Sequence, residues 1–250
     1  SDVYKRQVYD FKKVMSLLIN FCGVDLSAVY FDVRKDSLYC DPRFETEEVW
    51  DGDTATFGNR RRAARTVMAA VLERLLTWLA PVMPFTMDEA FLESYLAGSA
   101  ASVHLLQFPD TPVGWRDADL AARWEKIFIV RRVVTGALEV ERREKRIGAS
   151  LESTPRVLIA NEALIKAFEG ENAGDLFITS GAELVHSSSS DGCGFTLDDT
   201  PGVVVHPVKA SGVKCRRSWK YFDPASADPA FPDITPRDAL AVRAWDAMHD

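Results

Sequence analysis

Apolar residues recur every three or four positions through the larger part of the chain, from Val8 to about Gly148. This period matches one face of an α-helix and not the alternation of a half-buried strand, so we predict a bundle of helices. The first helix is expected to stop at Gly23, because a glycine at that point suits a left-handed C-cap. Its apolar face consists of Phe11, Val14, Leu18 and Phe21.

Three later helices are predicted from their boundaries. One is expected from about Asn59 to Leu79. In "PFTMDEAF", Thr86 and Glu89 have the spacing of a capping box, which predicts that the next helix starts at Thr86. The longest helix is expected from about Ala118 to Ile147, because cations in its last turn and Gly148 beyond it favour a helix C-terminus.

The sequence pattern changes after Gly148. Three short runs rich in β-branched and apolar residues, "PRVLIA", "DLFITS" and "GVVVHPV", predict strands. A helix is expected between the first two, at about Asn161 to Glu169. The chain closes with a helix, for which Thr235 is the predicted N-cap and Pro236 the first helical residue.

These patterns predict a mainly α protein. We expect a helical bundle at residues 8–150, a small α/β subdomain at 151–212 and a short C-terminal module at 213–250 that ends in a helix. Residues 1–7, "SDVYKRQ", resemble translated adapter sequence and are interpreted as a non-native leader on the tail of a longer protein; an ordinary polar lead-in to the first helix is the alternative. With 250 residues and 47% hydrophobic content, the chain can bury a core and a smaller annex.

The composition favours a cytoplasmic protein. Four cysteines, none at disulfide-framework or paired metal-binding spacing, fit a reducing compartment. No apolar run approaches the roughly 20 residues of a membrane-spanning helix, and no signal peptide is recognised. We also expect a monomer with no membrane and no DNA partner.

Motifs for common catalytic chemistry are missing from the sequence. It contains no phosphate-binding Gly-x-x-x-x-Gly-Lys-Ser/Thr loop, no dinucleotide fingerprint, no nucleophile elbow and no His-Glu-x-x-His. The histidines lie far apart, and the serines at 187–190 are interpreted as a solvated loop. We therefore predict no catalytic residue in this chain.

Cations are concentrated in three clusters, although the net charge is −7. Cations that neutralise phosphates, beside an aromatic ring that stacks on an unpaired base, suit single-stranded RNA loops. A solvated helix face is the alternative interpretation, since Glu139, Glu141 and Glu144 could pair with the second cluster. The candidate RNA contacts are Arg60, Arg61, Arg62 and Arg65 in the first cluster; Arg142, Arg143, Lys145 and Arg146 in the second; and Lys214, Arg216, Arg217, Trp219 and Lys220 in the third.

Three segments of the chain resemble a known family. "VYFDVRKDSLYCD" (29–41), "WLAPVMPFTMDEAF" (78–91) and "EKRIGASLES" (144–153) are similar, in this order and spacing, to the C-terminal region of bacterial isoleucyl-tRNA synthetases. The resemblance covers nearly the whole chain from Val8 onward. The first two segments are shared more loosely with valyl and leucyl relatives, whereas the third and the region around Cys215 point to the isoleucyl enzymes.

The resemblance implies a helical domain that binds the anticodon stem and loop of isoleucine tRNA, and a C-terminal module that also contacts the anticodon end. ATP and magnesium are implied only for an upstream catalytic domain, which this chain lacks. Leu38, Tyr39, Val82 and Phe85 are expected to pack helices together. Two alternatives stay open: the equivalent domain of a valyl or leucyl enzyme, and a helical scaffold that binds protein partners.

The tail contains part of a zinc-binding pattern. In many bacterial isoleucyl enzymes two Cys-x-x-Cys pairs hold one zinc ion; the resemblance places Cys215 and Ser218 at the first pair and leaves no cysteine for the second. One thiolate cannot complete a four-coordinate site, so we expect no zinc. Zinc held by Cys215 with Asp223 or Asp233 is the alternative. Without zinc, aromatic packing against the last helix is expected to hold the tail; the candidates are Trp219, Tyr221, Phe222, Phe231 and Trp245.

Overall fold

The computed structural model describes residues 10–42, 54–187 and 194–249, with the backbone alone for residues 54–58. Helices predominate and strands are few, which confirms a mainly α protein with a small α/β part. The chain divides into two compact units: unit 1 comprises Ser1–Pro42 and Leu120–Asp250, and unit 2 comprises Arg43–Asp119. The expected leader at 1–7 and most of the serine loop, 188–190, lie outside the described residues.

Unit 1 begins with a continuous helical segment. α1 (Phe11–Asn20) is capped by the Asp10 carboxylate, which accepts a hydrogen bond at 3.1 Å from a first-turn amide. The segment continues through a π-helical stretch (Phe21–Phe31) into α2 (Asp32–Cys40). The predicted stop at Gly23 is wrong. A glycine C-cap requires a positive φ angle, which Gly23 does not adopt, so the helix passes through it.

The same segment, Phe11–Cys40, corrects the expectation that no apolar run approaches membrane-spanning length. It has 30 residues and a mean hydropathy of 1.7 in its most apolar window, of which 17% is buried. In the described part of the chain it is the one helix long and apolar enough to cross a membrane. This is weak support for a span, because core helices and signal sequences share that length and composition.

Unit 2 is a small helical assembly. α3 (Thr54–Leu79) packs against α4 (Pro84–Leu92) and against a short 3₁₀ turn at Val103–Leu105. A second 3₁₀ turn, Val113–Trp115, is held by Arg74, whose guanidinium lies 4.5 Å from the centre of the Trp115 ring. The core of the unit consists of Leu76, Ala80, Phe91 and Val103, all at most 4% exposed.

The predicted capping box at the start of α4 does not form. The helix begins at Pro84, with Met83 at the N-cap and no side chain as a cap. Proline suits the first helical position, because an amide there would have no partner within the helix, and Thr86 therefore lies inside the first turn. Val82 and Phe85, which were expected to pack helices together, are 41% and 88% exposed.

α5 (Ala118–Arg143) supplies one side of the core of unit 1 and ends earlier than predicted. Its buried face includes Ile127, Val130, Val134 and Leu138, none more than 3% exposed. Lys145, with a φ angle of 57°, takes the left-handed position that was assigned to Gly148. The amide of Arg146 donates to the Glu141 carbonyl at 2.9 Å, a bond of the Schellman type that closes the helix end.

A three-stranded sheet packs against α5. β1 (Arg156–Ile159) lies in the centre, parallel to β2 (Glu183–His186) and antiparallel to β3 (Val203–His206). The strands predicted at "PRVLIA" and "GVVVHPV" are thus confirmed, and the intervening helix is α6 (Glu162–Lys166), shorter than predicted. The strand residues buried in the shared core are Val157, Ile159, Val203 and Val205, each 0% exposed.

The predicted strand at "DLFITS" is wrong, because this segment lies in and after α7 (Ala173–Phe177). The Asn172 side chain caps the helix, and Ile178 ends it with a φ angle of 58°. Leu176 and Phe177 are each 4% exposed in the same core. A short apolar run is compatible with either a buried strand or a buried helix, so its hydrophobicity does not distinguish them.

The last part of unit 1 starts with a two-stranded hairpin. β4 (Val213–Lys214) pairs antiparallel with β5 (Tyr221–Phe222). Gly212 precedes β4 with a φ angle of 90°, and a Cβ atom at that position would lie 2.1 Å from the Phe222 carbonyl oxygen. Glycine is therefore required at the entrance of the hairpin.

α8 (Pro236–Asp246) closes the chain and begins as predicted, with Thr235 at the N-cap and a hydroxyl that accepts from the Asp238 amide at 3.1 Å. The expected aromatic packing is only partly present. Trp219 and Trp245 are 61% and 46% exposed. Three other aromatic residues are partly buried: Tyr221, Phe222 and Phe231.

Buried charges join α8 to the end of α2. Arg237, 13% exposed, donates two hydrogen bonds to Asp36, one of them 3.0 Å long, and lies 3.4 Å from the fully buried Asp41. Lys220 lies 3.2 Å from Asp36. Burial alone would raise the pKa of Asp36, but the hydrogen bonds and charge of Arg237, together with Lys220, lower it to about 2.

Asp36→Asn is expected to destabilise the protein at pH 7 by about 2.5 kcal/mol, which corresponds to a pKa that falls from roughly 3.9 unfolded to about 2 folded. The folded pKa is the lower one. The stabilisation is therefore fully present above about pH 4 and is lost as the pH falls through about 2. Urea unfolding of parent and variant between pH 7 and pH 3 measures this difference, which should narrow as the pH falls.

Asp32→Asn on the same helix is the matched control. Asp32 pairs with the exposed Lys35 at 2.9 Å, and exposed pairs contribute about 0–1 kcal/mol. An Asp36→Asn effect no larger than that of Asp32→Asn would show that the buried pair does not stabilise the fold.

Candidate functional site

The third basic cluster comprises Lys214, the last residue of β4, and cations of the loop between β4 and β5, residues 215–220, which we call the Cys215 loop. The Cys215 amide donates to the Lys220 carbonyl at 2.8 Å, and the Trp219 amide donates to the Cys215 carbonyl at 3.0 Å. Trp219 adopts a φ angle of 64° and exposes its indole, and Lys214 Nζ lies 5.5 Å from the centre of that ring. The loop therefore presents an aromatic face and a cation to solvent.

Arg216 and Arg217 are neighbours in sequence but lie in different environments. Arg217 donates to the carbonyls of Cys40 and Tyr39 at 2.7 and 2.8 Å, and to the Asp238 carboxylate at 2.6 Å. The Arg216 side chain is 79% exposed and lies 3.3 Å from an exposed carboxylate. Arg217 therefore holds the Cys215 loop against the end of α2, and Arg216 is the one of the two that a ligand can reach.

Lys220 also points into the protein. Its side chain is 15% exposed, and its ammonium group lies 2.5 Å from Asp175 and 3.2 Å from Asp36. Its charge is thus used to join the loop to α7 and α2.

In the second cluster, at the end of α5, acidic neighbours pair with two of the four cations. Arg142 lies 2.6 Å from Glu139, and Arg146 lies 2.6 Å from Glu141 and also pairs with Glu144. The hydrogen bonds and charge of Arg146 lower the pKa of Glu141. These contacts agree with the interpretation of a self-paired helix face for this part of the cluster.

The other two members, Arg143 and Lys145, are exposed at the helix end. The first cluster lies in unit 2, on the first half of α3. Arg62 and Arg65 are exposed there, and Arg62 donates to the Asn59 side-chain oxygen at 2.5 Å. Arg60 and Arg61 are partly buried. The first cluster thus has two exposed cations, whereas all four cations of the second are exposed, two of them paired with glutamates.

A cleft of about 350 Å³ lies beside the Cys215 loop. Trp219 and Tyr39 both line it. Tyr39 was expected to pack between helices but is 75% exposed, while its neighbour Leu38 is partly buried. The sequence does not show that Tyr39 is the more exposed of these two residues. Their exposure depends on how the last turn of α2 lies beside the Cys215 loop, which only the tertiary structure shows.

A larger cavity, of about 780 Å³, lies between the π-helical stretch and α5. It combines three arginines with three aromatic residues, a combination that the sequence did not predict because its members come from separate helices. Burial lowers the pKa of Arg131 and raises that of Tyr30. The residues are Arg34, Arg131, Arg132, Tyr30, Trp124 and Phe128.

Within the described residues, no group of three or more His, Cys, Asp or Glu side chains could hold a metal ion. Asp223 and Asp233, the alternative zinc ligands, have other contacts. Asp223 accepts from the Ala225 amide at 2.9 Å, and Asp233 pairs with Arg216. Zinc held by Cys215 with one of these two aspartates stays a prediction.

The family model described as "Anticodon-binding domain of tRNA ligase" matches residues 4–159. The chain belongs to this family. It is also similar to the isoleucine–tRNA ligases of Brucella abortus biovar 1 (46% identical over 240 residues), Agrobacterium fabrum (47% over 240 residues) and Caulobacter vibrioides (46% over 241 residues). The resemblance carried by the three sequence segments is thereby confirmed.

Each of these matches covers 96% of this chain but 23% of the relative. The chain thus spans less than a quarter of the length of the isoleucine–tRNA ligases that it resembles. As a member of the anticodon-binding domain family, it corresponds to one part of those longer proteins.

Arg217→Ala is expected to lower the free energy of unfolding by about 3 kcal/mol, because it removes the ion pair and the donor to Oδ1 of the buried Asp238 carboxylate, together with the donor to two carbonyls. Arg216→Ala, the matched control, should change it by less than about 1 kcal/mol, since its ion pair is exposed. Guanidinium-induced unfolding of both variants measures the difference. Equal losses would show that Arg217 is not a structural clamp.

Proposed function

We propose that this chain binds the anticodon stem and loop of isoleucine tRNA, as the C-terminal part of an isoleucine–tRNA ligase. The observation that carries the proposal is the match of residues 4–159 to the anticodon-binding domain. The relatives that are 46–47% identical support the choice of amino acid, since they bear the name isoleucine–tRNA ligase. In the whole protein, an upstream domain would carry out the ATP-dependent aminoacylation, in the cytoplasm and as a monomer.

The Cys215 loop is the proposed base-contacting part. Its exposed Trp219 offers a face on which an unpaired base can stack, and such stacking is worth about 1–3 kcal/mol. Lys214 Nζ lies 5.5 Å from the centre of the indole ring, and Arg216 precedes Trp219 by three residues; both cations are exposed and are the proposed partners of phosphates near the stacked base. Arg217 and Lys220 are assigned a supporting role, because their charges hold the loop in place.

Phosphate contacts are proposed for the exposed cations of the other clusters, Arg62, Arg65, Arg143 and Lys145. Arg142 and Arg146 also remain candidates. Their pairs with glutamates are exposed, and such pairs cost about 0–1 kcal/mol to break, less than a phosphate contact can return. An RNA phosphate can thus replace the glutamate as the partner of Arg142 or Arg146.

Binding to a labelled anticodon stem-loop of isoleucine tRNA, measured by fluorescence anisotropy, is expected to be weak and salt-sensitive. With about three to six phosphates contacted, log affinity should fall with log salt at a slope of roughly −2 to −5. Trp219→Ala should weaken binding by about 5- to 150-fold, the equivalent of one lost stacking contact. Trp245→Ala, at another half-exposed tryptophan, is the control and should leave the affinity unchanged.

The alternatives give different outcomes in the same experiment. Preference for a valine or leucine stem-loop would identify the counterpart domain of those enzymes. Absence of RNA binding at low salt would favour a helical scaffold for protein partners and contradict the proposal.

The chain alone is expected to be catalytically inert, because its sequence contains no nucleotide-binding or catalytic motif. Isoleucine-dependent exchange of pyrophosphate into ATP should not exceed that of a mock preparation. Exchange above this background would contradict the prediction and overturn the assignment of aminoacylation to another domain.

A further inference from the structure

Four polar side chains from two distant segments converge at the base of the Cys215 loop: Cys215, Ser218, Thr235 and Asp238. They form two pairs, and within each pair the residues are three positions apart. This is the spacing of two Cys-x-x-Cys pairs. The tail contains no second pair of cysteines, as the sequence shows, and in the structure Thr235 and Asp238, which contain no sulfur, lie next to Cys215 and Ser218.

One oxygen atom lies at the centre of this group, which we call the Asp238 tetrad. Asp238 Oδ2 accepts hydrogen bonds from the Thr235 hydroxyl at 2.6 Å, the Ser218 hydroxyl at 2.7 Å and the Cys215 thiol at 3.1 Å. Both Asp238 and Cys215 are 0% exposed. In a metal site, all four side chains would bind a central ion. Here Asp238 Oδ2 is the common partner of the other three side chains.

The loop itself has the closed form of a metal knuckle. The Ser218 amide donates to Cys215 Sγ at 3.4 Å, and the Trp219 amide donates to the Cys215 carbonyl. The second pair lies at the start of α8, where Thr235 is the N-cap and Asp238 lies in the first turn. The two pairs are brought together although they are separated in sequence by the rest of the module.

The residues of the tetrad do not fit zinc. Structural zinc takes four ligands that are thiolates or imidazoles, and two of these four positions are hydroxyls that are not ionised near neutral pH. The carboxylate also has an ionic partner already: Arg217 lies 2.6 Å from Asp238, whereas Arg237, which pairs with Asp36 and Asp41, lies 3.8 Å from it. A divalent cation bound to Asp238 would therefore have to compete with the Arg217 pair.

We propose that the Asp238 carboxylate has replaced a structural metal ion, and that the tetrad closes the Cys215 loop and positions Trp219. The donors needed for a buried carboxylate are all present, since three side chains bind one oxygen and Arg217 binds the other. The inference concerns the fold of the tail and stands whether or not the chain binds tRNA.

Asp238→Asn tests the role of the carboxylate, because the amide keeps the volume but cannot accept on both sides. Hydrogen exchange should become about tenfold or more faster in two segments, residues 213–222 and the first turn of α8. Asp233→Asn is the matched control in the same module and should leave exchange unchanged. Equal exchange in the Asp238→Asn variant and the parent would overturn the proposal.

Ser218→Ala keeps the test decisive if Asp238→Asn is recovered only as unfolded protein. It removes one donor to Oδ2, so the same two segments should exchange faster, by a smaller factor. No change in either segment would count against the tetrad.

Elemental analysis of parent protein purified without chelator tests the metal directly. We expect far less than one zinc per chain, and no change in exchange after a chelator is added. About one zinc per chain, lost together with tail structure in Cys215→Ala, would overturn the proposal.

The geometric equivalence to a metal knuckle has its own test. The triple variant Ser218→Cys, Thr235→Cys, Asp238→Cys places four thiols at the tetrad positions. It should bind about one cobalt(II) per chain with the charge-transfer absorption of a tetrahedral four-thiolate site. In the control, Asp233→Cys replaces Asp238→Cys, so the fourth thiol lies outside the tetrad and this spectrum should not appear.

Both of these variants also carry Cys40→Ala, because Arg217 contacts both Cys40 and Asp238 and that thiol is therefore nearby. Identical cobalt spectra for the two variants, or no thiolate spectrum in the first, would show that the four positions do not form a metal-sized cage.

Discussion

The C-terminal module is held on the end of α2 by a cluster of buried charges, and the placement of the Cys215 loop depends on it. Arg217 and Arg237 bind carboxylates and carbonyls of residues 36–41, up to 201 positions away in sequence. Burying charges is costly, and a pair broken on one side leaves the other charge uncompensated. We therefore expect the contacts between the C-terminal module and the end of α2 to form together. The position of Trp219 depends on these contacts.

The same constraint explains how an acidic chain can present a basic surface. Many of its acids are used to pair cations of the interior or of the helix ends, as Asp36 does for Arg237 and Glu141 for Arg146. Lys214 and Arg216 stay exposed near Trp219 in the sequence, and Arg216 is held only by an exposed pair with Asp233. Net charge is an average over the chain, whereas a phosphate responds to the charges within about 10 Å.

The fold was predicted best where the signals are local. The strands at Arg156–Ile159 and Val203–His206 follow from short β-branched runs, and the start of α8 follows from Thr235 and Pro236. The errors lie where one local signal is compatible with two structures. A glycine such as Gly23 can end a helix in the left-handed conformation or lie within it, and its presence alone does not decide which. An apolar run such as that of α7 is buried as readily in a helix as in a strand.

The sequence by itself determined the mainly α class, the N-cap of the last helix and the family, because periodicity, capping residues and the three shared segments are read along the chain. The tertiary structure alone decided which arginines are clamps and which are exposed, and it alone placed Thr235 and Asp238 opposite Cys215 and Ser218. Hydrogen bonds have no fixed residue signature: a hydroxyl, a thiol and a guanidinium can all donate to one carboxylate. Whether these donors meet at one carboxylate depends on the tertiary structure, which a short stretch of sequence does not show.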